Sequence, residues 1–162
     1  MKNDKTDNHE QIFWEEIDRL FPDMIKAIAS LSKKSYLSIT NLRTGITWWS
    51  ERAMDYFGMK ENYTIRGMEK ANRKIHPDDV ATFKRGFKER VDGKNLDTAW
   101  EYRIQDGDSY NRFNAMARVL YDEQKQPFII IIRYDNYGIS DEVDSVTGLY
   151  TEPALNRHIT QL

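Results

Sequence analysis

The stretch that decides the fold is residues 100–134, WEYRIQDGDSYNRFNAMARVLYDEQKQPFIIIIRY. Apolar and polar positions alternate over 100–104 and again over 113–121, a period of two that is typical of strands with one buried face. An Asp-Gly-Asp turn at 106–108 and a polar turn at 122–127 follow these two runs. A strongly apolar run then occupies Phe128–Tyr134, so the stretch predicts three consecutive antiparallel strands.

A second group of strands is predicted upstream of this stretch. Tyr36–Thr40 alternates, and Ile46–Trp49 resumes an extended pattern after a turn that contains Asn and Gly, which together predict a β-hairpin. Ser50 can cap a short helix and Gly58 can end it. The rest of the segment to Lys74 has no clean period, and we expect short helical turns and loops there.

A firm helix start lies at His76–Asp79. Proline suits the first helical position, and the two aspartates favour the positive end of the helix dipole. The apolar residues that follow recur on one helical face: Val80, Phe83, Phe87 and Val91. The order is therefore helix, two strands, several helices and three strands. It predicts an α+β fold, a five-stranded antiparallel sheet with helices on one face.

The N-terminal segment, residues 1–34, carries an amphipathic helical stripe. Its apolar positions alternate between spacings of four and three, close to a heptad seam: Phe13, Ile17, Leu20, Met24, Ala27 and Leu31. Pro22 falls inside the stripe and either kinks the helix or begins a second one. The stripe either covers the core of the domain or forms the seam of a dimer, and the sequence leaves both alternatives open.

Composition and charge exclude several functional classes. Lysine and arginine total 24 against 26 acidic residues, and Glu89 interrupts the basic group at 84–90, so no nucleic-acid partner is expected. The absence of cysteine excludes disulfides, thiolate metal sites and the cysteine photochemistry of flavin light sensors. No apolar run approaches the roughly 20 residues that cross a bilayer, and Met1–Glu10 lacks the apolar core of a signal peptide. We therefore expect a cytoplasmic protein without membrane contact.

The order of elements, with specific residues in it, resembles the PAS family, in particular the subgroup with a His-Pro-Asp-Asp helix start. The resemblance is carried by Trp49–Ser50, Phe57–Gly58, Ile75–Asp79, Glu101–Ile104, Asp106–Gly107, Arg112–Phe113 and the turn at 122–127. It implies a PAS domain over 35–135 with a possible small-molecule pocket between sheet and helices. The candidate pocket residues are Trp48, Phe57, Trp100, Tyr102, Phe113, Asn114 and Arg118. The ligand stays unidentified, and haem is not expected because His76 is isolated and precedes a proline-started helix.

Residues Asp144–Tyr150 resemble the Asp-x-x-Thr-Gly-Leu turn that opens GGDEF domains, with Asp144, Thr147, Gly148 and Leu149 at the matching positions. Thr151 stands where that family often has Asn. The resemblance implies that residues 144–162 begin a diguanylate cyclase domain, which joins two GTP molecules into cyclic di-GMP, and that 136–143 is a short linker. The sequence has no Gly-Gly pair, so the catalytic part is missing and the chain is expected to be a piece of a longer enzyme.

These resemblances imply a non-catalytic sensory module that controls a cyclase domain. One alternative is a PAS module without ligand that only brings two chains together; another is a regulator of a degenerate GGDEF domain followed by a phosphodiesterase. A homodimer is expected because two cyclase domains must meet to join two GTP molecules. No catalytic or metal set is expected here, since Asp78 and Asp79 are adjacent on a helix and point in different directions.

Overall fold

The computed structural model describes residues 4–31 and 35–139. The chain divides into two compact units, Met1–Lys33 and Lys34–Leu162. The first unit contains α1 (Asp4–Ile17), a 3-10 turn (Asp18–Leu20) and α2 (Phe21–Ser30).

Pro22 lies in the first positions of α2, so it begins a second helix rather than kinking a single one. No residue of α2 is buried, and Leu20 and Leu31 of the predicted stripe expose 47% and 84% of their surface. Within the described residues, no helix is both long and apolar enough to cross a membrane.

Over its described residues, 35–139, the second unit contains six strands and three α-helices. The strands are β1 (Ser35–Asn41), β2 (Ile46–Trp49), β3 (Tyr63–Ile65), β4 (Trp100–Asp106), β5 (Ser109–Tyr121) and β6 (Pro127–Ile139). The helices are α3 (Glu51–Phe57), α4 (Gly67–Asn72) and α5 (Val80–Val91), the last preceded by a 3-10 turn at Pro77–Asp79. The strands form one sheet in the order β3-β2-β1-β6-β5-β4, and every neighbouring pair is antiparallel.

The predicted α+β antiparallel fold is confirmed, but the sheet has six strands rather than the five expected. The additional strand is β3, which pairs with β2 through Ile46 opposite Ile65 and Trp48 opposite Tyr63. It has only three residues, too few to show a period of two in the sequence. The segment therefore gave no signal beyond a loop.

Ser50 and Gly58 begin and end α3, as the sequence predicts. The Ser50 hydroxyl accepts a hydrogen bond from the Ala53 backbone N–H at 3.4 Å, and Gly58 ends the helix with φ of 69°, a left-handed conformation that glycine adopts without strain. The same hydroxyl also accepts from the Leu37 N–H at 3.1 Å. The cap thus fixes α3 to β1 as well as starting the helix.

The core lies between one face of the sheet and the helices α3, α4 and α5. The helices contribute Ala53, Phe57, Ala71 and Phe83 to it. The sheet contributes the inward residues of its strands: Trp49, Trp100, Tyr102, Ile104, Phe113, Ala115, Ala117, Ile130, Ile132 and Tyr134. These residues share one face because side chains alternate along each strand, which confirms the prediction of helices on one face.

Strand β6 runs further than predicted. The expected linker at 136–143 begins as strand, because β6 continues to Ile139 and pairs there with Asn111 of β5. At the other side of β6, Ser35 begins β1 opposite Asp135, and the Ser35 hydroxyl donates to the Asp135 carboxylate at 2.5 Å. The first and last parts of the domain are therefore neighbours in the middle of the sheet.

Candidate functional site

The space between the sheet and the helices is nearly filled by side chains. A cavity of about 10 Å³ remains, lined by Phe57, Ala71, Asn72, Ile75, Phe83, Tyr102, Ile104 and Tyr134. This is close to the smallest volume that can hold a water molecule. A drug-sized ligand needs a pocket of roughly 300 Å³ or more, so such a molecule would require the helices or the aromatic rings to move.

Aromatic rings of the helices pack against aromatic rings of the sheet around this cavity. The ring of Phe83 on α5 lies 4.9 Å from that of Tyr102, at an interplanar angle of 76°. The ring of Phe57 on α3 lies 5.8 Å from that of Tyr134 and 5.2 Å from that of Trp49. Such edge-on and tilted contacts stabilise the pairs beyond their buried area, so the helices are held close to the sheet.

The sheet supplies two tyrosine side chains to the wall of this cavity. Tyr134 is 3% exposed, and its hydroxyl lies 3.2 Å from that of Ser38 and 3.8 Å from the Met68 sulfur. Tyr102 is 2% exposed, and its hydroxyl has no hydrogen-bond partner in the described part of the chain. Burial raises the pKa of Tyr102 and of Tyr134, so both are neutral phenols.

The structure divides the predicted pocket residues into three groups. Phe57 and Tyr102 line the cavity. Trp100 and Phe113 belong to the core without lining it. Trp48, Asn114 and Arg118 lie on the opposite, outer face of the sheet, which corrects their expected place in the pocket.

The physical reason for that correction is strand alternation. Phe113, Ala115 and Ala117 are all buried inward, so positions 114 and 118 must point outward. At the adjacent tryptophans, Trp49 is inward and fully buried, which places Trp48 outward. The sequence alone shows two adjacent tryptophans and cannot say which one faces the core.

The cavity residues that the sequence interpretation did not select come from two sources. Phe83, Ile104 and Tyr134 lie on apolar stripes of the sequence, which by themselves predict only core positions. Ala71 and Asn72 come from the segment without a clean period, where no pattern could place them, and Ile75 directly follows that segment. One sequence signal could have placed Phe83 and Ile104 at the cavity, namely the packing of the predicted helix after Asp79 against the apolar face of the strand at 100–104.

Arg118 takes part in a separate, open cleft on the outer face of the sheet. This cleft of about 250 Å³ is lined by Met116, Ala117, Arg118, Ile131 and Arg133. Arg118 pairs with Asp97 at 3.0 Å, and Arg133 pairs with Asp135 at 3.3 Å. An anionic ligand would have to compete with both carboxylates, so the arginines do not form a ready anion site.

The His-Pro-Asp-Asp segment is structural. His76 Nδ1 accepts a hydrogen bond from the Asp78 N–H at 3.1 Å, and the His76 ring lies 4.6 Å from that of Tyr110. Asp79 accepts from the backbone N–H and both Nε and Nη2 of Arg103 at 2.8, 2.8 and 2.9 Å. Across residues 4–31 and 35–139, no group of three or more His, Cys, Asp or Glu side chains is placed to hold a metal ion.

A polar junction lies at the end of β6. Asn111, 6% exposed, donates from its amide to the Tyr56 hydroxyl and to the Asp106 carboxylate, each at 3.0 Å. Its backbone position pairs with Ile104 on one side and Ile139 on the other. Burial is the largest of the causes that raise the pKa of Tyr56 to about 12, so its hydroxyl stays protonated. Asn111 thus joins α3, the β4–β5 turn and the last residues of β6.

The predicted cyclase turn, with Asp144, Thr147, Gly148 and Leu149, lies outside the described residues.

Comparisons with known proteins agree on the fold. A family model described as PAS fold matches residues 46–132. A sensory box histidine kinase/response regulator from Burkholderia thailandensis E264 has a TM-score of 0.53 at 17% identity, covering 70% of this chain and 82% of that chain. The N-terminal domain of a diguanylate cyclase with PAS/PAC sensor from Marinobacter aquaeolei has a TM-score of 0.53 at 15% identity, covering 65% and 96%.

A further solved structure extends over more of the sequence. The PAS domain of BvgS from Bordetella pertussis has a TM-score of 0.50 at 11% identity, covering 89% of this chain and 96% of that chain. Identities this low show a shared fold alone. No curated protein matches the chain.

Proposed function

The chain belongs to the PAS fold family, a family of sensory modules that are not catalytic, and from that premise we propose that it regulates a diguanylate cyclase domain in the cytoplasm. The observation that carries the proposal is the position of β6. This strand passes through the Asn111 junction, ends at Ile139 and is followed after 140–143 by the sequence Asp-Ser-Val-Thr-Gly-Leu. A diguanylate cyclase from Marinobacter aquaeolei has the same fold in its N-terminal domain. This precedent supports the pairing of a PAS domain with a cyclase domain in one protein.

The proposed route of the signal runs from the helices to the exit of the sheet. Tyr56 on α3 is bound to Asn111, and Asn111 is paired with Ile139. A shift of α3 changes the Tyr56 contact and hence the pairing at the last described residues of β6. The proposal requires two arrangements of α3 relative to β6, and a ligand or partner shifts the balance between them only if it binds one more tightly than the other. The contacts of Asn111 must therefore differ between the two arrangements.

We expect Asn111→Leu to change cyclic di-GMP turnover of the full-length protein several-fold, in the same direction as deletion of residues 35–135. Leucine fills a similar volume but removes both hydrogen bonds, so α3 loses its polar link to β5, the strand that pairs with the end of β6. The measurement is the rate of cyclic di-GMP formation from GTP by the purified protein.

The matched control is Gln124→Leu, an exposed position in the β5–β6 turn, which should leave turnover as in the wild type. Turnover that is unchanged by both Asn111→Leu and the deletion would remove the regulatory proposal. Sequencing the gene past the codon of Leu162 is a simple check to make first, because the alternative of a degenerate cyclase followed by a phosphodiesterase predicts both domains there.

The filled cavity favours a second candidate function, a PAS module without ligand that brings two chains together. Among the described residues, the cavity between sheet and helices has about 10 Å³, and α2 buries none of its residues. An exposed apolar stripe that repeats at heptad-like spacing is suited to packing against a second copy of itself. Dimerisation alone would serve a reaction that joins two GTP molecules.

We expect this chain to be a dimer that Leu20→Asp combined with Leu31→Asp converts to a monomer. Both leucines are about half or more exposed, at 47% and 84%, so charge there removes apolar contact between chains without unfolding either one. Sedimentation velocity measures the outcome. The control is Lys26→Asp, on α2 between the two leucines but off the stripe. A wild type that is monomeric at all concentrations would contradict a dimer formed through this stripe.

A further inference from the structure

The Tyr102 hydroxyl is distinguished from the other unpartnered buried polar atoms by its surroundings. In the described part of the chain these atoms are Arg90 Nε, Trp100 Nε1, Tyr102 Oη and Asn114 Oδ1. Tyr102 is the member of this set whose side chain lines the cavity between the sheet and the helices. A free space and a residue with an unused hydrogen-bonding group are therefore adjacent.

A buried hydroxyl without a partner is rare because it loses its bonds to water on folding and gains nothing in return. Folded proteins resolve this by placing an ordered water where the space is polar and large enough. The cavity has about 10 Å³, near the lower limit for one water, and the Tyr102 hydroxyl can both donate and accept. The half-buried Asn72 side chain, which also lines the cavity, is a second polar group at its wall.

The charge of an occupant is also restricted. All residues that line the cavity are uncharged, and the pKa values of Tyr102 and Tyr134 are both raised, so neither phenol ionises near neutral pH. An ion brought into such a site would lose its hydration without gaining an opposite charge. A carboxylate, phosphate or ammonium group is therefore a poor occupant.

We propose that the cavity is a binding site for one small, uncharged molecule of the size of water, held by a hydrogen bond to the Tyr102 hydroxyl. The inference deepens the proposed sensory role by naming what the site can hold, and it rests on that role only for its signalling consequence. A larger ligand would have to displace both this molecule and the ring of Phe83, which lies 4.9 Å from that of Tyr102.

The experiment counts long-lived internal water molecules by oxygen-17 magnetic relaxation dispersion on this chain. Tyr102→Phe keeps the ring and removes the hydroxyl, so we expect one fewer long-lived water than in the wild type. Tyr63→Phe, which removes a hydroxyl from a residue that is 60% exposed, should leave the count unchanged. Equal counts in the wild type and Tyr102→Phe would overturn the proposal.

Two further measurements make the test independent of any single variant. Ala71→Val fills the cavity from α4 and should also remove the long-lived water. Tyr102→Phe should raise the unfolding equilibrium constant about fivefold, the effect of one lost hydrogen bond, whereas removal of an unpartnered hydroxyl would lower it. None of these readouts involves a cyclase, so their failure leaves the regulatory proposal untouched, and failure of the turnover test leaves the water site untouched.

Discussion

Replacing Gly67 with alanine is expected to lower the free energy of unfolding by about 2–4 kcal/mol, the sum of overpacking a core and losing a buried hydrogen bond. A Cβ atom built at Gly67 would overlap the Thr64 hydroxyl and come within 2.8 Å of Trp49 Nε1. These two atoms are bonded to each other at 2.7 Å, and Trp49 is fully buried. The added methyl group therefore has to move α4 or break the contact that holds β3 to β2.

The control for this substitution is Gly107→Ala in the β4–β5 turn. Gly107 has φ of +60° and no atom within 4 Å of a built Cβ, so alanine there carries only the backbone strain, about 1 kcal/mol. Urea unfolding followed by tryptophan fluorescence measures both variants. If Gly67→Ala costs no more than Gly107→Ala, the close packing of α4 on β2 and β3 is not a determinant of stability.

Asp79→Asn is expected to lower the free energy of unfolding by about 2 kcal/mol at neutral pH, in the range for hydrogen bonds to charged groups. The carboxylate accepts three hydrogen bonds from Arg103, and an amide can keep at most part of this set because its NH₂ group would face the guanidinium. Asp78→Asn is the matched control, since the Asp78 side chain is 80% exposed and its loss should change little.

The same pair predicts a dependence of stability on acid. The hydrogen bond from Arg103 is the largest cause that holds the pKa of Asp79 below its ordinary value of 3.8. A carboxyl group whose pKa is lower in the folded state stabilises the fold above its unfolded value and loses that contribution as pH falls through the folded value. The stability difference between wild type and Asp79→Asn should therefore be constant above about pH 5 and shrink below pH 3.8. A difference that grows in acid would contradict the assigned pair.

The sequence predicted the parts of the fold that depend on neighbours along the chain. Ser50 and Gly58 bound α3 because a cap and a left-handed glycine act within one helical turn. Alternation likewise placed β4, β5 and the apolar part of β6. Strand β3 could not be predicted because its three residues are extended through pairing with β2, a contact that no local sequence pattern encodes.

The candidate site was less predictable for the same reason. Tyr102 could be named because it stands on an alternating strand pattern, and Phe57 because it lies in the short helix that Ser50 and Gly58 bound. Trp48 and Arg118 required knowledge of which strand face is inward. Asp79 was assigned to the helix dipole, whereas its main partner, Arg103, lies 24 residues away on β4. This ion pair forms when α5 packs on the edge of the sheet. It therefore depends on the tertiary fold, and the local sequence around Asp79 does not predict it.

The pairing of Ser35 with Asp135 has a consequence for how the domain can be used in larger proteins. Since the segments at these two positions lie side by side, the whole unit can be spliced between two other parts of a polypeptide as a cassette without separating them in space. Such an insertion places both junctions at the pair of β1 and β6, so a rearrangement of this pair reaches both neighbouring parts at once.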